Sequence, residues 1–254
     1  MIRRDINFDA RWFYWLCGLM EGEGTFTKAT PSMPRKPRLS IRMTDQDIIE
    51  RVVEMTGTRI WIHEWEIERY RTVYHTELVG GSAVALMNLF RPEMSARRQI
   101  QIDRAIATFQ PKRSIRHKTY TVLPIGEEER DRYWLAGFLE GEVYFGQNKA
   151  ATLTISPLVE VNTVDADVIA RVDSIWRSRY GIGVNIHIRP PRQLGYQPQY
   201  HLACFGPAAR AVMADIEPLM GQRRRSRIAE LLGPAVQTTL LREARAGYTL
   251  RWAA

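Results

Sequence analysis

The chain has 254 residues, 45% of them hydrophobic and 25% charged, with a formal net charge of +8 at pH 7. That is apolar material for a packed core in one large domain or two ordinary ones, and the positive balance points to a polyanionic partner, nucleic acid before membrane. Two cysteines, Cys17 and Cys204, lack any CxxC or Cys/His spacing, which argues against a zinc site or a disulfide framework and fits a reducing, intracellular compartment.

Arg3 and Arg4 before an apolar run imitate a secretion signal, but Asp5, Asp9 and Arg11 interrupt the run and Glu21 and Glu23 close it. No targeting segment is therefore read, no stretch is long enough to span a bilayer, and no membrane partner is expected. Asp9 predicts the N-cap of a first helix that Gly22 and Gly24 end. A short strand over 25–28 precedes a proline-broken turn over 30–38, where Arg35, Lys36 and Arg38 suit a loop reaching over phosphates. Residues 38–43 alternate strictly. Leu39, Ile41 and Met43 are expected to face a core, and Arg38, Ser40 and Arg42 a polar, basic sheet surface.

Thr44 to Asp47 open a helix with Ile48, Ile49, Val52, Val53 and Met55 on one stripe, stopped at Gly57. Strands follow over 59–69 and 72–79, with Trp61, Trp65 and Tyr70 assigned to packing, then a short helix over 82–89 and a longer one over 95–109. Arg97 and Arg98 fall in the first turn of that last helix, where the helix dipole disfavours cations by about 0.3–1 kcal/mol each. Charge placed there predicts an external anion.

After a basic stretch over 110–126 without clear period, the order repeats. Acids at 127–129 open a helix, strands over 144–147 and 158–162 answer 25–28 and 38–43, and Asp165 to Ile169 answer Asp45 to Ile49. That helix is expected to bury Val168, Val172 and Ile175 and to end at Gly181. Strands over 184–189 and 199–205 place Asn185, His187 and Arg189 on a polar face, and His75 and His201 read as strand residues without metal. Residues 217–224 match 91–98, making Arg223 the counterpart of Arg97 and Arg224 that of Arg98. Beyond Pro234 the tail predicts a short amphipathic helix, then Tyr248 and Trp252 docked on the body.

The centre of the repeat is Trp15 to Glu23 and Trp134 to Glu142, with aromatic, Leu, Gly and Glu in matching slots and glycines four apart at Gly18/Gly22 and Gly137/Gly141. Glycine costs a helix roughly 1 kcal/mol against alanine, so these positions predict close helix–helix packing about a pseudo-twofold axis. Each ridge ends in paired carboxylates, and acids converging at such a seam can hold a divalent cation. Helical geometry alone does not choose Glu23 over Glu21, or Glu142 over Glu140.

At these residues the chain resembles the LAGLIDADG homing endonuclease family: residues 16–24 and 135–143 align with its nine-residue signature. The family's metal-binding catalytic acid falls at Glu23 and Glu142; the usual glycine in ninth position is Gly24 in one copy and Val143 in the other. The resemblance implies an α+β fold of two pseudo-symmetric αββαββα halves, whose four-stranded antiparallel sheets form a DNA-binding saddle. Residues 1–109 would be the N-terminal half, 110–126 a basic linker, and 127–254 the C-terminal half and tail. It implies a monomer that makes a staggered double-strand break in a long target. Mg²⁺ or Mn²⁺ would sit at Glu23 and Glu142, Arg97 and Arg223 would stabilise the phosphorane charge, and Arg98 and Arg224 would contact DNA. Two other readings of the same fold stand beside this one: a maturase acting on its own intron RNA, and a non-catalytic DNA-binding regulator. Retention of both acids weighs against each.

Overall fold

The computed structural model describes residues 5–28, 36–64, 71–107, 109–110, 118–149, 155–191, 193 and 195–245, in two compact units that divide between Gly141 and Glu142. In the first unit, β1 (Asp5–Phe8) leads into α1 (Ala10–Glu23), whose first turn is capped as expected: the Asp9 carboxylate accepts from the Arg11 and Trp12 N–H groups. Phe13, Trp15, Leu16, Leu19 and Met20 are all buried, so α1 is a core helix rather than a surface one.

β2 (Thr25–Thr27), β3 (Arg38–Met43), α2 (Gln46–Thr56), β4 (Trp61–His63), β5 (Val73–Val79) and α3 (Gly81–Phe90) follow, and the strands form an antiparallel sheet in the order β2-β3-β5-β4. The alternation in β3 has its expected outcome: Leu39 and Ile41 are buried under α2 and α3, while Arg38, Ser40 and Arg42 take the opposite face. Gly57, with φ 62°, ends α2 in the left-handed region that L side chains avoid, and Gly80, with φ 68°, turns β5 into α3. Trp61, assigned to packing from sequence, is instead 52% exposed. β4 is a three-residue edge strand, and its register pairs Trp61 with His75, which pairs in turn with Arg42, so the indole stands on the basic face. Trp65 and Tyr70 lie outside the described residues.

After a 3₁₀ turn over Arg91–Glu93 comes α4 (Ala96–Ile106), capped by Ser95. β6 (Thr119–Val122) then pairs in parallel with β1, Asp5 opposite Thr119. The C-terminal part of the segment read as a linker is therefore fastened to the first unit. Tyr120 is buried against Phe8, and the Lys118 ammonium donates to the Thr56 and Gly57 carbonyls at 2.9 and 2.7 Å. α5 (Glu127–Glu142) carries the second copy of the repeat.

α1 and α5 meet through their glycines. A Cβ built on Gly18 would collide with the Trp134 carbonyl and stand 2.6 Å from Phe138 N; one on Gly137 would collide with the Trp15 carbonyl and stand 2.9 Å from Leu19 N. Backbone touches backbone at both positions, and this is the physical reason for glycine in a helix interior there.

The second unit repeats the plan with β7 (Val143–Lys149), β8 (Ile155–Thr163), α6 (Ala166–Tyr180), β9 (His187–Arg189), β10 (Gln199–Phe205) and α7 (Gly206–Ile216). Its antiparallel sheet runs β7-β8-β10-β9, the order of the first. Val159, Val161 and Leu202 pack beneath it with Val168, Val172, Ile175 and Trp176 of α6. Gly181, with φ 65°, ends α6 as Gly57 ends α2. α8 (Gln222–Arg245) follows, with a backbone break at Gly233 (φ 67°, ψ 160°), so the helix expected beyond Pro234 is present; Tyr248 and Trp252 are outside the described residues. The fold is thus α+β, and in chain order α1 to α3 and α5 to α7 each run through the expected αββαββα sequence, followed by one further helix, α4 or α8.

Candidate active site and nucleic-acid interface

The structure separates the two acids that helical geometry left equivalent. Glu21 is 2% exposed; one carboxylate oxygen accepts from the Ser95 N–H and the other from the Ser95 hydroxyl, both at 2.7 Å. Ser95 in turn accepts from the Arg98 N–H at 3.3 Å as the cap of α4. Glu21 therefore fastens the start of α4 to the end of α1. Glu23, the last residue of α1, is half-buried at the lip of a groove, and Gly141 backs it so closely that a Cβ there would stand 2.7 Å from Glu23 Cγ. The second pair is sorted likewise by exposure: Glu140 is 1% exposed, and Glu142, the residue after Gly141, is open to solvent.

The groove, about 600 Å³ in volume, lies on the polar face of the first sheet. Glu23, Lys36, Arg38, Ser40 and Arg42 line it, so five residues singled out in the sequence come together. Arg35 lies outside the described residues. Thr25, Thr27, Lys28, His75 and Glu77 complete the wall and were not foreseen as site residues. Thr25 and Thr27 do alternate with Phe26, but three residues are too few to carry that signal. Arg38 leans on Glu77 at 3.5 Å. Arg42 is exposed, and among the described residues its guanidinium has no hydrogen-bond or ion-pair partner. Burial, and then the Arg42 charge, push the His75 imidazole below its ordinary pKa, so it stands in the wall as a neutral ring.

The second arginine of each Arg-Arg pair bonds to backbone, and for Arg98 burial overturns the expected contact with DNA. Arg98 is 7% exposed, and its guanidinium donates to the carbonyls of Glu21, Gly22 and Gly24 at 2.7 to 2.9 Å. These are carbonyls at the C-terminal end of α1, the negative pole of that helix, so the anion anticipated from outside is supplied from within. Arg224, half-buried on α8, donates to the Val143 carbonyl at 2.7 Å. Arg98 is thus a buried clamp on backbone and not a group held out to DNA, while Arg224 clamps backbone from the wall of a solvent-facing hollow. Arg97 is half-buried beside Arg98, and Arg223 is exposed on the rim of a hollow of about 480 Å³ that Tyr144, Phe145 and Arg227 also line.

Asn185, His187 and Arg189 are exposed in the second unit. Asn185 and His187 border a hollow of about 640 Å³ whose walls include Ile182, Cys204 and Phe205. Arg189 pairs in register with Gln199, and His201, beside His187, meets the Glu160 carboxylate at 3.0 Å. Burial holds the Cys204 thiol up at about 12, which leaves it inert at neutral pH.

No family model matches the sequence, and no curated relative matches it. Solved structures do. The LAGLIDADG meganuclease I-AabMI, bound to uncleaved DNA, superposes with a TM-score of 0.52 at 13% identity, over 91% of this chain and 92% of that one. The LAGLIDADG homing endonuclease I-GzeII, in complex with its DNA target, superposes with a TM-score of 0.51 at 11% identity, over 96% and 94%. The chain has the LAGLIDADG homing endonuclease fold along nearly its whole length. Among the described residues no helix is long and apolar enough to cross a membrane.

Proposed function

We propose that this chain is a site-specific DNA endonuclease of the LAGLIDADG homing type, which cuts both strands of a long target by staggered, metal-dependent phosphodiester hydrolysis. The observation that carries this reading is the sorting of the acids: Glu21 is used up in holding α4, while Glu23 stands at the lip of a groove walled by Lys36, Arg38 and Arg42. A carboxylate beside a basic sheet face is where a phosphate and a cation would meet.

Glu23 and Glu142 supply hard oxygen ligands, and among the described residues no cluster of three or more His, Cys, Asp or Glu adds to them. Carboxylate oxygen suits Mg²⁺ or Mn²⁺, which each of these acids would hold. The cation, when bound, lowers the pKa of a water and steadies the leaving oxygen. Glu23 and Glu142 would hold the cation, Arg97 and Arg223 would offset charge building on the phosphoryl oxygens, and the sheet faces would hold the duplex in register. One chain carries both copies of the motif, so the active species is a monomer. Neutralising about six phosphates would give a log–log salt dependence of binding near −5.

Glu23→Gln and Glu142→Gln test the reading. Glutamine keeps size and hydrogen bonding but loses the charge that holds a cation. Each variant is expected to lose cutting while retaining its affinity for DNA in Ca²⁺. Full cleavage by both would overturn the proposal.

A further inference from the structure

Matching positions on the two sheet faces carry different chemistry. On the first, the register sets Ser40 between Thr25 and Glu77, Arg38 between Thr27 and Val79, and Arg42 beside His75. On the second, the same places hold Glu160 between Tyr144 and Ala203, Leu158 between Gly146 and Phe205, and Asn162 beside His201. Both arginines of the first sheet's central strand are thus replaced, one by leucine and one by asparagine.

Around Leu158 the face is apolar, and aromatic side chains beside it are open to solvent. Tyr144 is 56% exposed and Phe205 47% exposed. The tyrosine ring lies against Gly146, where a Cβ would stand 2.6 Å from Tyr144 Cζ, so glycine there is what lets the ring lie down on the sheet. Glu160, the carboxylate among them, is engaged by His201 at 3.0 Å and by the Asn162 amide at 2.9 Å. Exposed aromatic surface on a sheet face marks a contact surface.

Resting on the nuclease reading above, we infer that Arg42 on the first sheet reads a guanine, and that the Tyr144, Leu158 and Phe205 surface at the matching place on the second sheet reads a thymine. A guanidinium fork matches the O6 and N7 acceptors of guanine in the major groove. The patch offers no two-donor fork for those acceptors, since the Tyr144 hydroxyl carries a single O–H, but its aromatic and aliphatic carbon gains from burying the C5-methyl of thymine. At these matching places the second sheet selects by a methyl group and the first by hydrogen bonds.

The test is selection of duplexes from a randomised pool by the full-length chain without divalent metal, followed by single-atom changes in the selected target. Replacing the read guanine with 7-deazaguanine is expected to weaken wild-type binding about tenfold and to leave Arg42→Ala unaffected. Replacing the read thymine with uracil is expected to weaken wild type about fourfold and to leave Phe205→Ala unaffected, while Phe205→Leu keeps the thymine preference. Both side chains are exposed, so the variants should fold, and circular dichroism checks that they do. A selected sequence without a guanine and a thymine preference, or variants that relax neither position, would overturn the inference and leave the nuclease reading standing. Failure to enrich any duplex would overturn both.

Discussion

Arg98 in the first unit reaches the Gly24 carbonyl at 2.8 Å, Arg224 in the second reaches the Val143 carbonyl at 2.7 Å, and each guanidinium sits 5.9 Å from the centre of a phenylalanine ring, Phe26 or Phe145. The partner is thus the backbone carbonyl of the ninth motif position, whichever residue stands there. Gly24 has an ordinary φ of −68°, and its glycine is explained by crowding, because a Cβ would collide with the Met20 carbonyl. Val143 instead opens β7, pairs with Val161 and is buried. The departure from glycine in the second copy therefore follows from the strand beginning one residue earlier, with the arginine clamp kept.

The clamps differ in depth, and that difference can be measured. Arg98 is almost fully enclosed with additional carbonyls from Glu21 and Gly22, so Arg98→Ala is expected to cost about 3–5 kcal/mol, whereas half-buried Arg224→Ala should cost about 1–2 kcal/mol, both by chemical denaturation. Equal costs would show that depth is irrelevant. Glu21→Ala should approach the larger value and combine with Arg98→Ala less than additively, since both act on one joint.

The motif glycines give the next contrast. Gly137→Ala drives a methyl into the Trp15 backbone and should lose roughly 1–3 kcal/mol of stability. Gly141→Ala meets only the Glu23 side chain, which can swing away, so stability should fall by less than about 1 kcal/mol while cleavage drops sharply. Unimpaired cleavage by a folded Gly141→Ala protein would mean that the placement of Glu23 is unimportant.

The smallest effect concerns His75, whose counterpart His201 faces a carboxylate instead of an arginine. Its pKa is lowered in the folded state, so between that value and the ordinary 6.5 the unfolded chain binds more protons. Stability is then fully present above pH 6.5 and declines as pH falls through that window. His75→Gln should flatten the slope of unfolding free energy against pH there, and an unchanged slope would assign it to other groups.

Most of this framework was legible in the sequence where the signal is local. The Asp9 cap, the stops at Gly57 and Gly181, the alternation through β3 and the glycines of the repeat each follow from steric or hydrogen-bonding demands of a few adjacent residues. What escaped depends on remote partners. The burial of Arg98 needs carbonyls from another helix, Trp61 is exposed because β4 is short and at an edge, and the division of labour between Glu21 and Glu23 rests on Ser95. A serine just before a helix announces a cap, but nothing nearby in sequence says that it will also bind a carboxylate from the motif.

Pairing Asp5–Phe8 with Thr119–Val122 also sets an order of events during synthesis. The N-terminal strand is made first, yet its hydrogen-bonding edge stays open until the residues just ahead of the second motif have emerged, so the first half cannot close on its own sequence. Pairings between such distant segments are slow to form, and an unpaired edge invites association with other chains in the interval. A chain divided ahead of Thr119 would keep that open edge permanently, whereas division after Val122 would leave β1 with its partner.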